Sequence, residues 1–176
     1  MNLEDKIKKA KILLEALPYI RQFSGQCVVV KYGGSLMVDD DLKAQFAKDI
    51  VLLKYIGLNP VIVHGGGKEI SKWMKKMGKE SVFIDGLRVT DLETMEITEM
   101  VLTGKINSEV VSLMNQNGGS AVGLSGKDAN LFTAIKKKSK ANQSLGFVGD
   151  ITDVDTTLIN TLNGSGYIPV ISSVGH

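Results

Sequence analysis

Twice within the first seventy residues, a short run of β-forming apolar residues ends in glycines and opens into a helical pattern. Cys27-Val28-Val29-Val30 leads into Lys31-Tyr32-Gly33-Gly34-Ser35, and Pro60-Val61-Ile62-Val63 leads into His64-Gly65-Gly66-Gly67-Lys68. Helical stretches follow from Asp39 to Ile56, ended by Gly57, and from Lys68 to Met77, ended by Gly78. Glycine just past a helix is a common stop because it adopts the left-handed conformation without a steric cost. Continuous apolar runs of this length describe strands buried on both faces. Two strand-loop-helix units in succession require parallel strands with helices packed over them. The expected fold is therefore α/β, a three-layer sandwich with a mainly parallel central sheet.

The remaining chain extends this pattern with two departures. Before the first strand, Leu3, Ile7, Ala10, Leu14 and Leu17 form one apolar stripe at helical spacing, with lysines between them. Pro18 is expected to break or kink that helix, because it has no N–H to donate and its ring crowds the preceding turn. Such a stripe packs either on the chain itself or on a partner subunit. Further on, Val82, Ile84 and Leu87-Arg88-Val89 flank Asp85-Gly86, a pattern that reads as an exposed β-hairpin. Thr90 and Glu93 have capping-box spacing and open a helix toward Thr103. A second helix runs from Lys105 to Asn117. After Ala121-Val122-Gly123-Leu124, two strands are expected at 131–135 and 146–154, then a helix at 156–162 and a last strand at 167–171.

Glycines let backbone N–H groups approach an anion closely, and the start of a helix adds partial positive charge. Each glycine loop is thus suited to cradle a phosphate. Adjacent parallel strands would set the two loops side by side as one anion site with two walls, and Lys31 would point its ammonium into it. Taken singly, each loop also reads as a tight turn. The common nucleotide signatures are absent: neither Gly67-Lys68 nor Gly126-Lys127 completes a Walker A loop, and no G-x-G-x-x-G occurs. His64-Gly65-Gly66-Gly67 is also similar to an esterase oxyanion loop. No G-x-S-x-G accompanies it, because Lys127 stands where the second glycine belongs.

Charge excludes other classes. The formal net charge is +2 with both signs interspersed, which argues against a nucleic-acid-binding surface, and Lys136-Lys137-Lys138 reads as a solvated loop. One cysteine and two histidines give no zinc-type cluster, and no metal ligands are expected. The lone cysteine fits a reducing, cytoplasmic setting. Early charges interrupt any signal-type stretch, and no apolar run reaches membrane-spanning length, so no membrane association is expected.

In order and spacing, five segments resemble the N-acetylglutamate kinases of the amino acid kinase family: Val-Val-Val-Lys31-Tyr-Gly33-Gly34-Ser, Val-Ile-Val-His64-Gly65-Gly66-Gly67, Asp85-Gly86-Leu87-Arg88-Val-Thr, Gly104-Lys105-Ile106-Asn107 and Gly123-Leu-Ser-Gly126-Lys127-Asp128. Phe147-Val148-Gly149-Asp150 and Ile168-Pro169-Val170-Ile171-Ser172 continue the match. The resemblance implies ATP-dependent phosphorylation of the side-chain carboxylate of N-acetyl-L-glutamate, a step of arginine synthesis, with Mg2+ accompanying ATP. It implies Lys31 as the lysine that stabilises the transition state and Gly33 and Gly34 as the loop for the transferred phosphoryl group. Gly66 and Gly67 correspond to binders of the acylated amino acid, and Arg88 to the arginine that grips its α-carboxylate. Lys105 and Lys127 are assigned to interface or loop packing.

Members of that family continue for roughly another hundred residues, a second half-domain of ordinary size. The chain is therefore expected to be the amino-terminal, substrate-binding lobe over 26–176, truncated before the part that holds most of the nucleotide. Residues 1–25 resemble the helical extension that links dimers into hexamers in arginine-inhibited members, implying a homo-oligomer and L-arginine as a feedback inhibitor. Two alternatives stay open: a related kinase acting on another carboxylate or carbamate, and a non-catalytic module that binds a small ligand.

Overall fold

The protein is described by a computed structural model covering residues 2–176, apart from the side chain of Ser35; Met1 lies outside the described residues. The first helix, α1 (Leu3–Phe23), opens with a reciprocal cap in which Asn2 accepts the Asp5 N–H and Asp5 accepts the Asn2 N–H. Pro18 lies inside the helix, so of the expected break or kink the break does not occur. The carbonyl deprived of its helical partner is that of Leu14, a residue 67% exposed, so solvent is at hand to take the bond. No described residue of α1 is buried, so its stripe does not pack on the chain itself.

The central sheet holds β1 (Cys27–Tyr32), β2 (Asn59–His64), β5 (Ala121–Ser125) and β8 (Ile168–Ser172), all parallel, in the order β1-β2-β8-β5. Register brings their carboxyl ends level: Tyr32 stands opposite His64, His64 opposite Ser172, and Ser172 opposite Ser125. On one face lie α2 (Asp40–Tyr55), α3 (Gly67–Lys76) and α5 (Asn107–Gln116), burying Phe46, Ile50, Ile62, Met74, Met114 and Val170 in one cluster. On the other, α6 (Thr157–Gly164) packs Ile159 against a smaller cluster of Val61, Leu131 and Ile171. Helix, sheet and helix form the three layers expected. Asp39 caps α2 by accepting the Leu42 N–H at 3.0 Å, and Asp40 and Asp41 fill its first turn, where acidic groups favour the helix dipole.

β1 corrects one expectation. It is an edge strand with only alternate residues covered, and Val29 is 66% exposed. The second helical layer lies over β2 and β8 and leaves that face of β1 open.

Between β2 and β5 the chain makes its hairpin as expected, pairing β3 (Phe83–Ile84) with β4 (Leu87–Arg88). Asp85 at φ 53° and Gly86 at φ 78° form the turn, the two left-handed residues that a tight hairpin requires. The following helix, α4 (Leu92–Glu99), is capped by Asp91, which accepts the Thr94 N–H at 2.8 Å, and not by Thr90. Thr90 Oγ1 instead donates to the Arg88 carbonyl, and Glu93 pairs with Lys79. α4 and α5 are not separated: Met100–Ile106 continues the helix with a wider turn, ending where the Asn107 N–H donates to the Leu102 carbonyl. The last departure is β6 (Phe132–Lys138) with β7 (Ser144–Val154), an antiparallel ribbon outside the main sheet. Thr90 stitches it to the hairpin through bonds with Leu145 and Phe147.

Among the described residues no helix is long and apolar enough to cross a membrane.

Candidate functional site

Because β1 and β2 are neighbours, the loops leaving their carboxyl ends lie side by side. Lys31, Gly33, Gly34, Gly66 and Gly67 all line one cleft of about 820 Å³, which α5 also lines from Glu109 to Gln116. Five of the six residues singled out in the sequence thus share a single cavity. The sixth, Arg88, stands at its edge: Nη2 donates to the Gly67 carbonyl at 3.0 Å and to Ser71 Oγ at 2.8 Å, while Nη1 reaches Ser81 Oγ. Its guanidinium lies 4.8 Å over the Phe83 ring. The hairpin is thereby pinned against the second glycine loop and α3.

Glycine is needed in the two loops for different reasons. Gly34 sits at φ 65°, in the left-handed region. At Gly66 the reason is proximity: a Cβ there would fall 2.2 Å from Ile106 Cδ1 and 2.8 Å from Leu102 Cδ2, both on the widened helical segment. Gly33 and Gly67 have open space where a Cβ would go. Their value lies in leaving the backbone accessible from the cleft.

Lys43, Lys68, Lys72 and Lys105 also line the cleft, and with Lys31 they make five lysines facing two carboxylates, Glu69 and Glu109. Lys105 pairs with Glu109 and lies 3.9 Å from Glu69, and Glu109 holds the Lys105 ammonium above its ordinary range. Trp73 Nε1 donates to Glu69 Oε1 at 3.1 Å and fixes that carboxylate. Assigning Lys105 to interface or loop packing is therefore corrected: it is a cleft residue. The signal available in the sequence was its place in Gly104-Lys105-Ile106-Asn107, a segment that resembled the family. Lys127, by contrast, pairs with Glu99 at 2.7 Å, as loop packing requires. The net positive lining suits an anion and is the local charge that the near-neutral chain conceals.

Below the second loop, His64 is buried, 1% exposed. Burial lowers its pKa, and the Gly65 carbonyl at 3.1 Å from Nδ1 only partly offsets that effect, so the ring is held neutral. On its other side, Asn107 Nδ2 approaches Nε2 to 3.0 Å. At the end of β5, Asp128 accepts from the Ser125 N–H and hydroxyl at 2.6 and 2.9 Å and closes the next loop. Among the described residues, no group of three or more His, Cys, Asp or Glu is placed to hold a metal ion.

Comparison with known proteins agrees with this architecture. Acetylglutamate kinase of Geotalea uraniireducens (strain Rf4) is 55% identical over 177 residues, covering 96% of this chain and 61% of the relative. Acetylglutamate kinase of Caldanaerobacter subterraneus subsp. tengcongensis is 58% identical over 170 residues, covering 97% and 56%. The chain therefore spans roughly three fifths of the length of these relatives. A structure of N-acetylglutamate synthase from Neisseria gonorrhoeae, complexed with coenzyme A and N-acetyl-glutamate, superimposes with a TM-score of 0.76 at 25% identity, covering 93% of this chain and 37% of that one. The model of the amino acid kinase family matches residues 26–176. With its paired glycine loops, its parallel sheet and this match over most of its length, the chain belongs to the amino acid kinase family.

Proposed function

We propose that this chain is the N-acetyl-L-glutamate-binding lobe of an acetylglutamate kinase, which transfers a phosphoryl group from ATP to the side-chain carboxylate of its substrate in arginine synthesis. The observation that carries the reading is the convergence of Lys31, Gly33, Gly34, Gly66 and Gly67 on one positively lined cleft. Relatives named acetylglutamate kinase at 55% and 58% identity support it.

Two anions must meet in this reaction, so the work of the site is charge neutralisation and alignment. Lys31 would neutralise the charge that grows on the phosphoryl oxygens, and Gly33 and Gly34 would offer backbone N–H groups to them. Gly66 and Gly67 would do the same for the acceptor carboxylate. Arg88 stands at the Gly67 edge, and its guanidinium would grip the substrate's α-carboxylate by exchanging its present bonds to the Gly67 carbonyl, Ser71 and Ser81 for bonds to the ligand. ATP supplies the phosphoryl group. Magnesium would accompany it, and among the described residues no cluster of metal-ligating side chains is present.

On this reading residues 26–176 form the substrate lobe and residues 1–25 an extension that joins subunits. The exposed stripe of α1 supports the second part, since Leu3, Ile7, Leu14 and Leu17 find no cover on their own chain. A homo-oligomer, a dimer or a hexamer built through α1, would cover it, and L-arginine would act as feedback inhibitor of such an assembly. The exposed, unpaired Cys27 is in keeping with a cytoplasmic enzyme.

Calorimetric titration of the chain with N-acetyl-L-glutamate, beside L-glutamate, tests the reading. Binding selective for the acetylated form and weakened at least tenfold by Arg88→Ala is expected. A folded chain that binds neither, or binds both equally, rejects it.

A further inference from the structure

Asn107 occupies an unusual position. It is the first residue after the widened turn of Met100–Ile106, 5% exposed, and its side chain reaches down onto the sheet. Nδ2 lies 2.9 Å from the Val170 carbonyl on β8, 3.0 Å from His64 Nε2 on β2 and 3.3 Å from the Leu124 carbonyl on β5. One amide thus spans three parallel strands at their carboxyl ends. Room for it exists because β5 has glycine beneath it: a Cβ on Gly123 would fall 2.0 Å from Asn107 Oδ1.

This geometry dictates a proton's position. Backbone carbonyls only accept hydrogen bonds, so the end of the Asn107 amide that faces Val170 and Leu124 is its NH2. That NH2 has two hydrogens, and its two shorter contacts are the Val170 carbonyl and His64 Nε2, so the ring nitrogen presents a lone pair and is unprotonated. In a neutral imidazole the proton is then on Nδ1, which points at the Gly65 carbonyl. Both His64 bonds are satisfied by one tautomer, and Asn107 selects it.

The consequence reaches the cleft. The Gly65–Gly66 peptide is planar, with C=O and N–H on opposite sides. With the Gly65 carbonyl turned inward to His64, the Gly66 N–H is turned away from the ring, and Gly66 lines the cleft. The widened turn serves both ends of this arrangement. It delivers Asn107 to the sheet, and it sets Ile106 and Leu102 against Gly66 from the other side.

We propose that Asn107 is a positioning residue of the second glycine loop: by fixing His64 in its Nδ1–H tautomer, it anchors the Gly65 carbonyl and aims the Gly66 N–H at the anionic ligand of the cleft. The value of that N–H to N-acetyl-L-glutamate rests on the function proposed above, whereas the tautomer and the loop geometry do not.

Long-range 1H–15N correlation on the unliganded chain reads the His64 tautomer directly. A neutral ring protonated at Nδ1 is expected, and protonation at Nε2 overturns the proposal without any variant being made. In Asn107→Ala the single tautomer should give way to a mixture, and the Gly66 amide resonance should move. Affinity for N-acetyl-L-glutamate should fall about tenfold, the usual worth of one well-placed hydrogen bond to an ion. An unchanged tautomer together with unchanged Gly66 and Gly67 amides overturns the proposal. His64→Asn and His64→Ala decide the loop part even if Asn107→Ala fails to fold. The Asn side chain places an N–H where Nδ1 stands and should keep the Gly66 amide near its native resonance, while Ala should displace it; equal displacement in both contradicts the anchoring. Absence of N-acetyl-L-glutamate binding in the unmutated chain would count against the proposed function alone, since the tautomer and amide readouts judge Asn107 independently.

Discussion

Gly66 and Ile106 approach each other so closely that a single added methyl would leave 2.2 Å between carbon atoms. This contact joins the second glycine loop to the widened helical segment that forms the cleft's inner wall, and it makes the two loops' glycines unequal. Gly66→Ala should overpack the site and destabilise the chain by about 2 kcal/mol, the ordinary cost of forcing a methyl into a filled space. Gly67→Ala, with open space at its Cβ, should cost less than about 0.5 kcal/mol. Denaturant unfolding of the two variants measures the difference. Ile106→Val removes the nearer methyl and should recover part of the Gly66→Ala loss.

The first loop should behave differently, because its constraint is conformational. Gly34 holds φ 65°, whereas Gly33 does not lie in the left-handed region, and neither has a neighbour within contact of a Cβ. Gly34→Ala should cost about 1 kcal/mol from backbone strain, and Gly33→Ala a few tenths. Thermal unfolding ranks them.

Stability should fall in mildly acidic solution. His64 is held neutral in the folded chain because burial lowers its pKa beneath the ordinary value of 6.5, while in the unfolded chain it titrates near that value. Below about pH 6.5 the unfolded state therefore binds the extra proton, and stability is lost as pH falls toward the folded pKa; above it the contribution is complete. Urea midpoints between pH 7.5 and 5.5 should drop in the native sequence and drop less in His64→Asn, which has no proton to gain.

The start of α4 offers a direct test of which residue caps it. Lys79 bridges Asp91 at 2.8 Å and Asp91 accepts the Thr94 N–H, which together hold its carboxyl far below the usual carboxylate range. Asp91→Ala should lower the melting temperature by a few degrees, and Asp91→Asn, which still caps, by less. Thr90→Ala, which removes no cap, should leave the start of α4 intact by amide exchange.

Much of this molecule was legible before folding, for reasons that particular residues make clear. Asp85-Gly86 announced its hairpin because two left-handed residues in a row have few other uses. The paired glycine loops announced the cleft because parallel topology leaves them nowhere to go but side by side. Val29 misled, since an apolar run reads the same in a central strand and in an edge strand whose outer face is uncovered. Thr90 and Asp91 are both good caps one position apart, and the choice between them fell to the Lys79 bridge and the Thr90–Arg88 turn. Asn107 ends the Gly104-Lys105-Ile106-Asn107 segment, which by itself assigns it no task. Its reach onto the sheet depends on the widened turn before it, and no pattern of apolar residues encodes that turn.

On the proposed function, one cleft walled by the two glycine loops receives N-acetyl-L-glutamate. Mapping amide chemical shifts of the 15N-labelled chain during titration with that compound tests it most directly. The largest changes are expected on Gly33, Gly34, Gly66 and Gly67, with the Arg88 Nε signal moving alongside them. Saturating changes centred elsewhere, for instance on the groove beside Gly123 and Asn115, or no changes at all in a folded chain, would contradict it.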